Sequence, residues 1–290
     1  LVYTDDVSRK NQLTNRERRH MIHITALSRT GNKQPVELKA LQFPGGEMHV
    51  TVDAKLSADE LLITAHLPDS AAVMTLLMVT DALRRAYMGA AISLDMPYVP
   101  YARQDRVANA GEALSAKVFC DLINGQRYAS VTIQDPHSDV IAALLERVVI
   151  DNPLPSLQRA LEHVGRPTLV APDAGARKRA LKLANALGVD VVFADKIRDT
   201  RTGKITGTQV QGELPDTPLL VVDDICDGGR TFTELADALR ARQAAQRISR
   251  ELYLYVTHGI FSKGLDPLLT RYATVFARNN WTSDSRCALV

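Results

Sequence analysis

The segment Leu219–Thr231 constrains this chain more than any other. Four apolar residues, Leu219-Leu220-Val221-Val222, run directly into two carboxylates, Asp223 and Asp224. Ile225-Cys226-Asp227, the pair Gly228-Gly229, Arg230 and Thr231 follow. An uninterrupted apolar run of this kind is a strand buried on both faces. Glycines after it let backbone N–H groups close around an anion, and a helix beginning near Thr231 adds its partial positive end. Open α/β sheets bind ligands at the carboxyl ends of their strands. Ionised carboxylates only accept hydrogen bonds, so Asp223 and Asp224 suit a diol or a metal-bound hydroxyl. Phosphate on the loop and a diol above it is the geometry a ribose 5-phosphate needs. The plain alternative is a βα turn with an aspartate helix cap. A Gly-Gly pair alone would not displace it, but two carboxylates directly after four apolar residues do.

Further apolar runs read as buried strands: Leu61–Ala65, Ala91–Leu94, Ser130–Ile133, Leu169–Ala171, Val189–Phe193 and Glu251–Thr257. Helical patterns lie between them at Ser70–Met88, Ala113–Ile123, Val140–Leu145, Arg177–Leu187 and Thr233–Arg242, with Gly188 as a C-cap. Strands alternating with helices imply βαβ units and parallel sheets covered on both sides. The pattern occurs twice, which divides the chain into 21–152 and 153–290. Residues 1–20 are polar and basic and are read as an extension, disordered or left over from cloning. The stretch Arg198–Asp216 is rich in Thr, Gly, Gln and charge. It breaks the rhythm and reads as a mobile loop, about 196–216, or an exposed hairpin.

Composition excludes several classes. A chain of 290 residues, 46% hydrophobic and 23% charged, has the profile of a soluble globular protein. Its net charge of +2 gives no nucleic-acid or membrane signal, and no apolar run approaches the roughly 18 residues of a membrane span. Three scattered cysteines, Cys120, Cys226 and Cys287, argue against a disulfide framework or a cysteine zinc site and point to a reducing, cytoplasmic compartment.

The Leu219–Thr231 segment resembles the phosphoribosyl-pyrophosphate (PRPP) motif shared by type I phosphoribosyltransferases and PRPP synthetases. Other segments resemble the synthetases, the ribose-phosphate pyrophosphokinases, in family order. Pro97–Arg106 followed by Leu114–Lys117 looks like their ATP-site strand and loop, and Phe43-Pro44-Gly45-Gly46-Glu47 like their adenine-contacting segment. Asp135-Pro136-His137 looks like their metal and ATP site. Ala171–Gly175 with the basic helix Arg177–Lys182 is similar to their second sugar-and-metal element. Asp195–Arg198 resembles the start of their catalytic loop, and Thr257–Ser262 a characteristic strand end.

The resemblance implies an α/β fold of two type I phosphoribosyltransferase-like domains, each a parallel sheet flanked by helices. The N-terminal domain would bind ATP and the C-terminal one ribose phosphate. It implies a diphosphotransferase moving the β,γ-pyrophosphate of ATP to the anomeric hydroxyl of ribose 5-phosphate with Mg²⁺. It also implies a homo-oligomer built from dimers, a hexamer among its forms. By match, Phe43 and Glu47 hold adenine; Arg103, Gln104, Arg106 and His137 hold ATP. His137 and Asp173 hold metal. Asp223 and Asp224 accept from ribose hydroxyls, Asp227, Gly228, Gly229, Arg230 and Thr231 cradle the 5-phosphate, and Lys196 and Arg198 are catalytic. His258 reads equally as structural or catalytic. His20, His23, His49, His66, His163 and Trp281 read as structural.

The sequence departs from the family in three places. The phosphate loop reads Asp-Gly-Gly-Arg-Thr where synthetases usually have Asp-Thr-Ala-Gly-Thr; Gly45 stands where Asp is usual; and the stretch after Arg106 lacks the usual basic run. The loop change raises ADP-ribose as an alternative acceptor, as in synthetase-like enzymes of phage NAD-rebuilding pathways. A phosphoribosyltransferase and a non-catalytic synthetase-associated protein are the readings from other classes. The Arg103–Arg106 segment speaks against the first, and the retained Lys196, Arg198, Asp173, Asp223 and Asp224 against the second.

Overall fold

The computed structural model describes residues 22–54, 57–198 and 205–290; the extension expected at 1–20 lies outside them. The chain divides after Asp151 into two compact units. Among the described residues no helix is long and apolar enough to cross a membrane.

The first unit has eight strands: β1 (Ile22–Leu27), β2 (Lys33–Pro35), β3 (Leu38–Gln42), β4 (Met48–Val52), β5 (Glu60–Ala65), β6 (Ala91–Asp95), β7 (Val131–Gln134) and β8 (Val148–Asp151). Helices α1 (Ser70–Ala86), α2 (Ser115–Gly125) and α3 (Asp139–Leu144) connect the later ones. Six strands form one sheet in the order β2-β1-β5-β6-β7-β8. Strands β5 to β8 run parallel, whereas β1 pairs antiparallel with β5 and β2 antiparallel with β1. The sheet is therefore parallel only over its βαβ part. β3 and β4 form a separate hairpin. Helix α1 is capped by the Asp69 carboxylate, which accepts from the Ala72 N–H at 2.8 Å, and it buries Val73, Leu76, Val79 and Leu83 on one face.

The second unit comprises α4 (Leu154–Val164), β9 (Thr168–Ala171), α5 (Arg177–Leu187), β10 (Val191–Arg198), β11 (Ile205–Val210), β12 (Leu219–Cys226), α6 (Arg230–Gln246), β13 (Leu252–Gly259), α7 (Asp266–Leu269), β14 (Thr274–Asn280) and β15 (Ala288–Leu289). The sheet order is β11-β10-β9-β12-β13-β14-β15, parallel except for the β10–β11 pair. The Arg198–Asp216 stretch thus contributes the second strand of a hairpin, and Lys196 lies within β10 rather than in a loop. Strand β12 shows why its sequence is continuously apolar. Leu219 and Val221 face one core with Leu235 and Leu239 of α6, while Leu220 and Val222 face the other with Leu157 of α4 and Ala180 of α5. The chain leaves β9 toward β10 on one side and later returns to place β12 on the other. The crevice between the carboxyl ends of β9 and β12 is a topological switch point, where such sheets bind ligands.

Candidate active site

Three carboxylates and two cations gather at that switch point. Asp223 and Asp224 lie in the carboxyl-terminal half of β12, and Asp224 is only 4% exposed. Arg179 of α5 reaches both: its Nη1 is 2.8 Å from Asp224 Oδ1 and 3.4 Å from Asp223 Oδ1. The Asp224 N–H donates to Asp223 Oδ1 at 2.9 Å. Burial pushes the Asp223 carboxyl well above the usual carboxylate range, and the neighbouring Asp224 pushes the same way; Arg179 opposes both. One cation over two carboxylates leaves acceptor capacity for a polyol.

Asp173 follows β9. Its Oδ1 accepts from the Ala176 N–H at 3.2 Å, and Lys196 Nζ stands 2.8 Å from its Oδ2, both side chains being about a quarter exposed (26% and 29%). Next to Lys196, Asp195 binds Arg177 and the side-chain amide of Gln211, with the Arg177 guanidinium 5.5 Å over the Phe193 ring. Arg177 and Asp195 therefore tie α5 to the strand that carries Lys196. Arg198 ends β10, and its side chain lies outside the described residues.

The loop below Asp223 and Asp224 is clamped from the β13 side. Cys226 O accepts from the N–H groups of Ile260 (2.9 Å) and Phe261 (3.1 Å), and Asp227 O from that of Ser262 (3.1 Å). The Ser262 hydroxyl donates to Asp227 Oδ1 at 2.6 Å. Gly229, at φ +76, turns the chain into α6, and no side chain caps that helix. The first-turn N–H groups of such a helix lack intrahelical acceptors, and they form a ready anion site with Thr231 beside them. Arg230 is 81% exposed and bonded to Glu234 at 2.6 Å.

In the first unit, two candidate segments share one end of the sheet. Pro97–Arg106 follows β6, and Asp135-Pro136-His137 follows the adjacent β7. The Gln134 N–H donates to Pro97 O (3.0 Å), and the Ala116 N–H of α2 to Gln104 O (3.2 Å). Arg103, Gln104, Arg106 and His137 are exposed there. Phe43 and Glu47 close the β3–β4 turn, where the Phe43 N–H donates to Glu47 O at 2.8 Å; Phe43 is 47% exposed.

Among the described residues no three His, Cys, Asp or Glu side chains stand together as a metal cage. Asp173 offers one partly exposed carboxylate of the kind a divalent cation with several waters takes.

A family model described as the N-terminal domain of ribose phosphate pyrophosphokinase matches residues 18–126, and a phosphoribosyl transferase domain model matches residues 157–258. A ribose-phosphate pyrophosphokinase of Bradyrhizobium diazoefficiens is 30% identical over 236 residues, covering 79% of this chain and 72% of the relative. The chain belongs to the ribose-phosphate pyrophosphokinase family. A second member, from Sulfolobus acidocaldarius, is 27% identical over 244 residues, 81% of this chain and 84% of its own. The crystal structure of phosphoribosylpyrophosphate synthetase from Mycobacterium smegmatis superposes with a TM-score of 0.74 over 88% of this chain and 86% of that one. At 23% identity it shows the fold of this pyrophosphokinase-family chain.

Two contributors were not singled out from sequence. Arg179 passes as one member of a basic helix, yet Arg177, Lys178 and Arg179 occupy the first turn of α5, where no acidic residue offsets the helix dipole. Cations there are unfavourable, and that is the signal that they answer carboxylates elsewhere. Gly259 is the other. A Cβ at that position would stand 2.1 Å from the Phe261 ring, so only glycine lets Phe261 fold back and deliver Ser262 to Asp227. His258 is buried in β13 with Nδ1 3.4 Å from Asn279 Nδ2, a packed position within the sheet.

Proposed function

We propose that this enzyme moves the β,γ-pyrophosphate of ATP to the C1 hydroxyl of ribose 5-phosphate, giving PRPP and AMP. The observation that carries the reading is the Asp223–Asp224 pair under Arg179, directly above the uncapped α6 terminus. The carboxylates accept from the ribose 2- and 3-hydroxyls. The N–H groups and Thr231 of the Asp227–Thr231 loop take the 5-phosphate. The C1 oxygen then attacks the β-phosphorus, the bond to the α-phosphate oxygen breaks, and the hydroxyl proton is lost to solvent. Positioning and charge neutralisation dominate such a transfer. Lys196 leaves Asp173 to stabilise the charge that develops on the transferred group, and Arg198 assists it.

Arg103, Gln104, Arg106 and His137 hold ATP, with Phe43 and Glu47 on adenine. His137 would place the Mg²⁺ that comes with ATP and Asp173 a second metal, and the metal would supply charge neutralisation to the phosphate groups. The outward presentation of Phe43 supports a homo-oligomer in which this aromatic serves a neighbouring copy. The three cysteines are buried and unpaired, and burial pushes their thiols up to about 11 (Cys120, Cys287) and about 12 (Cys226). Such inert thiols suit a reducing cytoplasm.

A second reading keeps the chemistry and changes the acceptor to ADP-ribose. It is favoured by Gly228, which brings no side chain to the loop, and by the exposed Arg230, whose guanidinium suits a second phosphoryl group. Incubation with Mg–ATP and each acceptor, followed by AMP release, decides between them. Turnover of ribose 5-phosphate alone eliminates the extended acceptor; turnover of ADP-ribose alone eliminates the first reading.

A further inference from the structure

Gly228 offers the loop no side chain, and what covers it instead is Lys263. A Cβ at 228 would meet the Lys263 stem at 3.7 Å from both Cδ and Cε and 3.9 Å from Cγ. The stem thus passes beside Gly228 over three of its carbons, and its ammonium is one bond beyond Cε. The main chain leading to Lys263 is fixed: Ile260, Phe261 and Ser262 donate their N–H groups to Cys226 O and Asp227 O, and the Gly264 N–H closes back on Phe261 O at 2.8 Å. Among the described residues no carboxylate pairs with Lys263, whereas Arg230 is occupied by Glu234. The loop also contains a carboxylate of its own, Asp227. A phosphoryl group entering here lies beside that negative charge, and with Arg230 held by Glu234 a cation adjoining the loop favours its binding.

We infer that Lys263 is an acceptor-binding residue: its ammonium binds the oxygens of the 5-phosphoryl group, from beside the face that Gly228 leaves without a side chain. This rests on the reading that the Asp227–Thr231 loop holds the acceptor's phosphate. A monoester and the proximal phosphoryl of a diphosphate present the same oxygens to Lys263. Both ribose 5-phosphate and ADP-ribose therefore depend on it if either is used.

The test is steady-state kinetics of AMP release with each acceptor for Lys263→Ala, Lys263→Arg, Thr231→Ala, Gly228→Thr and the double variant Lys263→Ala/Gly228→Thr. A charge-assisted hydrogen bond is worth about 1.5–3 kcal/mol. Lys263→Ala is thus expected to raise the acceptor KM roughly 10- to 100-fold, leaving kcat and the KM for ATP within about twofold, and Lys263→Arg to recover most of the loss. Gly228→Thr weakens acceptor binding in the parent by displacing the lysine stem, but strengthens it in the Lys263→Ala background, where its hydroxyl fills the vacated space. An unchanged acceptor KM in Lys263→Ala, or equal effects of Gly228→Thr in both backgrounds, overturns the proposal. If Thr231→Ala raises the acceptor KM while Lys263→Ala does not, the loop reading stands and Lys263 is excluded. If neither changes it, the loop reading falls as well.

Discussion

Replacing Arg179 by Met keeps the aliphatic stem and removes a cation that reaches both Asp223 and Asp224. The magnitude follows from burial. The side chains of Arg179, Asp223 and Asp224 are 20%, 17% and 6% exposed, so this is no surface pair worth about 0–1 kcal/mol. Removing one partner of a buried pair costs about 3–5 kcal/mol; residual exposure places this one nearer 2–3 kcal/mol, the upper part of the range for a hydrogen bond to a charged group. The loss must depend on pH. Asp223 already has a raised folded-state pKa, and Arg179 is the group that holds it down. A carboxyl raised on folding destabilises the native state as pH climbs through its titration range. Without Arg179 that range moves higher and the cost of ionisation grows. The parent and variant therefore diverge above the ordinary carboxylate range and converge as pH falls to about 4. Urea unfolding at pH 5, 6.5 and 8 measures this, and Arg179→Met/Asp224→Asn should recover more than half of the loss at pH 8. A loss that is the same at all three pH values, or below about 0.5 kcal/mol at pH 8, would refute the electrostatic account.

Lys196→Ala is expected to lower turnover about 10²- to 10³-fold while changing stability by about 1 kcal/mol or less, because its pair with Asp173 is partly exposed; AMP release and a thermal melt read the two effects, and undiminished turnover removes Lys196 from the mechanism. Gly259→Ala puts a methyl group against the Phe261 ring, which should cost about 1–3 kcal/mol and raise the acceptor KM by moving Ser262; a parental melting temperature with a parental KM would show that the turn absorbs the clash.

Strand β12 was legible because both of its faces are covered, which forces an unbroken apolar run. Helix α5 was legible to its end residues, Arg177 and Leu187, because Gly188 terminates it in the left-handed region. Elements on the periphery were not. In the β3–β4 hairpin, β4 does alternate apolar Met48, Val50 and Val52 with exposed His49 and Thr51, but none of its apolar residues is fully buried and its partner β3 is exposed from Lys39 to Gln42, so the two do not stand out as a pair. Helix α4 hides behind Pro155, which reads as a breaker yet sits in the first turn, where proline is tolerated. In the site, Asp223 and Asp224 announced themselves by following four apolar residues. Arg179 did not, because the carboxylates it answers lie 44 and 45 positions further along the chain, and pairing at that range is set by the βαβ crossover, not by local spacing.

Backbone conformation points to the same places by an independent route. Six non-glycine residues among those described have positive φ: Tyr101, Arg127, Asp135, Arg147, Arg247 and Phe261. The three arginines have a local reason. Arg247 caps α6, Arg127 follows the C-cap of α2, and Arg147 turns the chain from the end of α3 into β8. The other three follow the carboxyl ends of parallel strands. Tyr101 lies in the segment after β6, Asp135 directly after β7, and Phe261 after β13. Bulky residues in this region cost on the order of 1–3 kcal/mol each and persist only where surroundings over-determine them. Phe261 is 2% exposed, folded against Gly259 and bonded through its N–H to Cys226 O. Asp135 is buried between β7 and Pro136. At β7 and β13 the left-handed residue comes one or two positions after the strand and redirects the chain at once; at β6 it comes six positions on, within Pro97–Arg106. The strain therefore marks the strand ends kept open, and these are the ends carrying Arg103, His137 and the clamp over the Asp227–Thr231 loop.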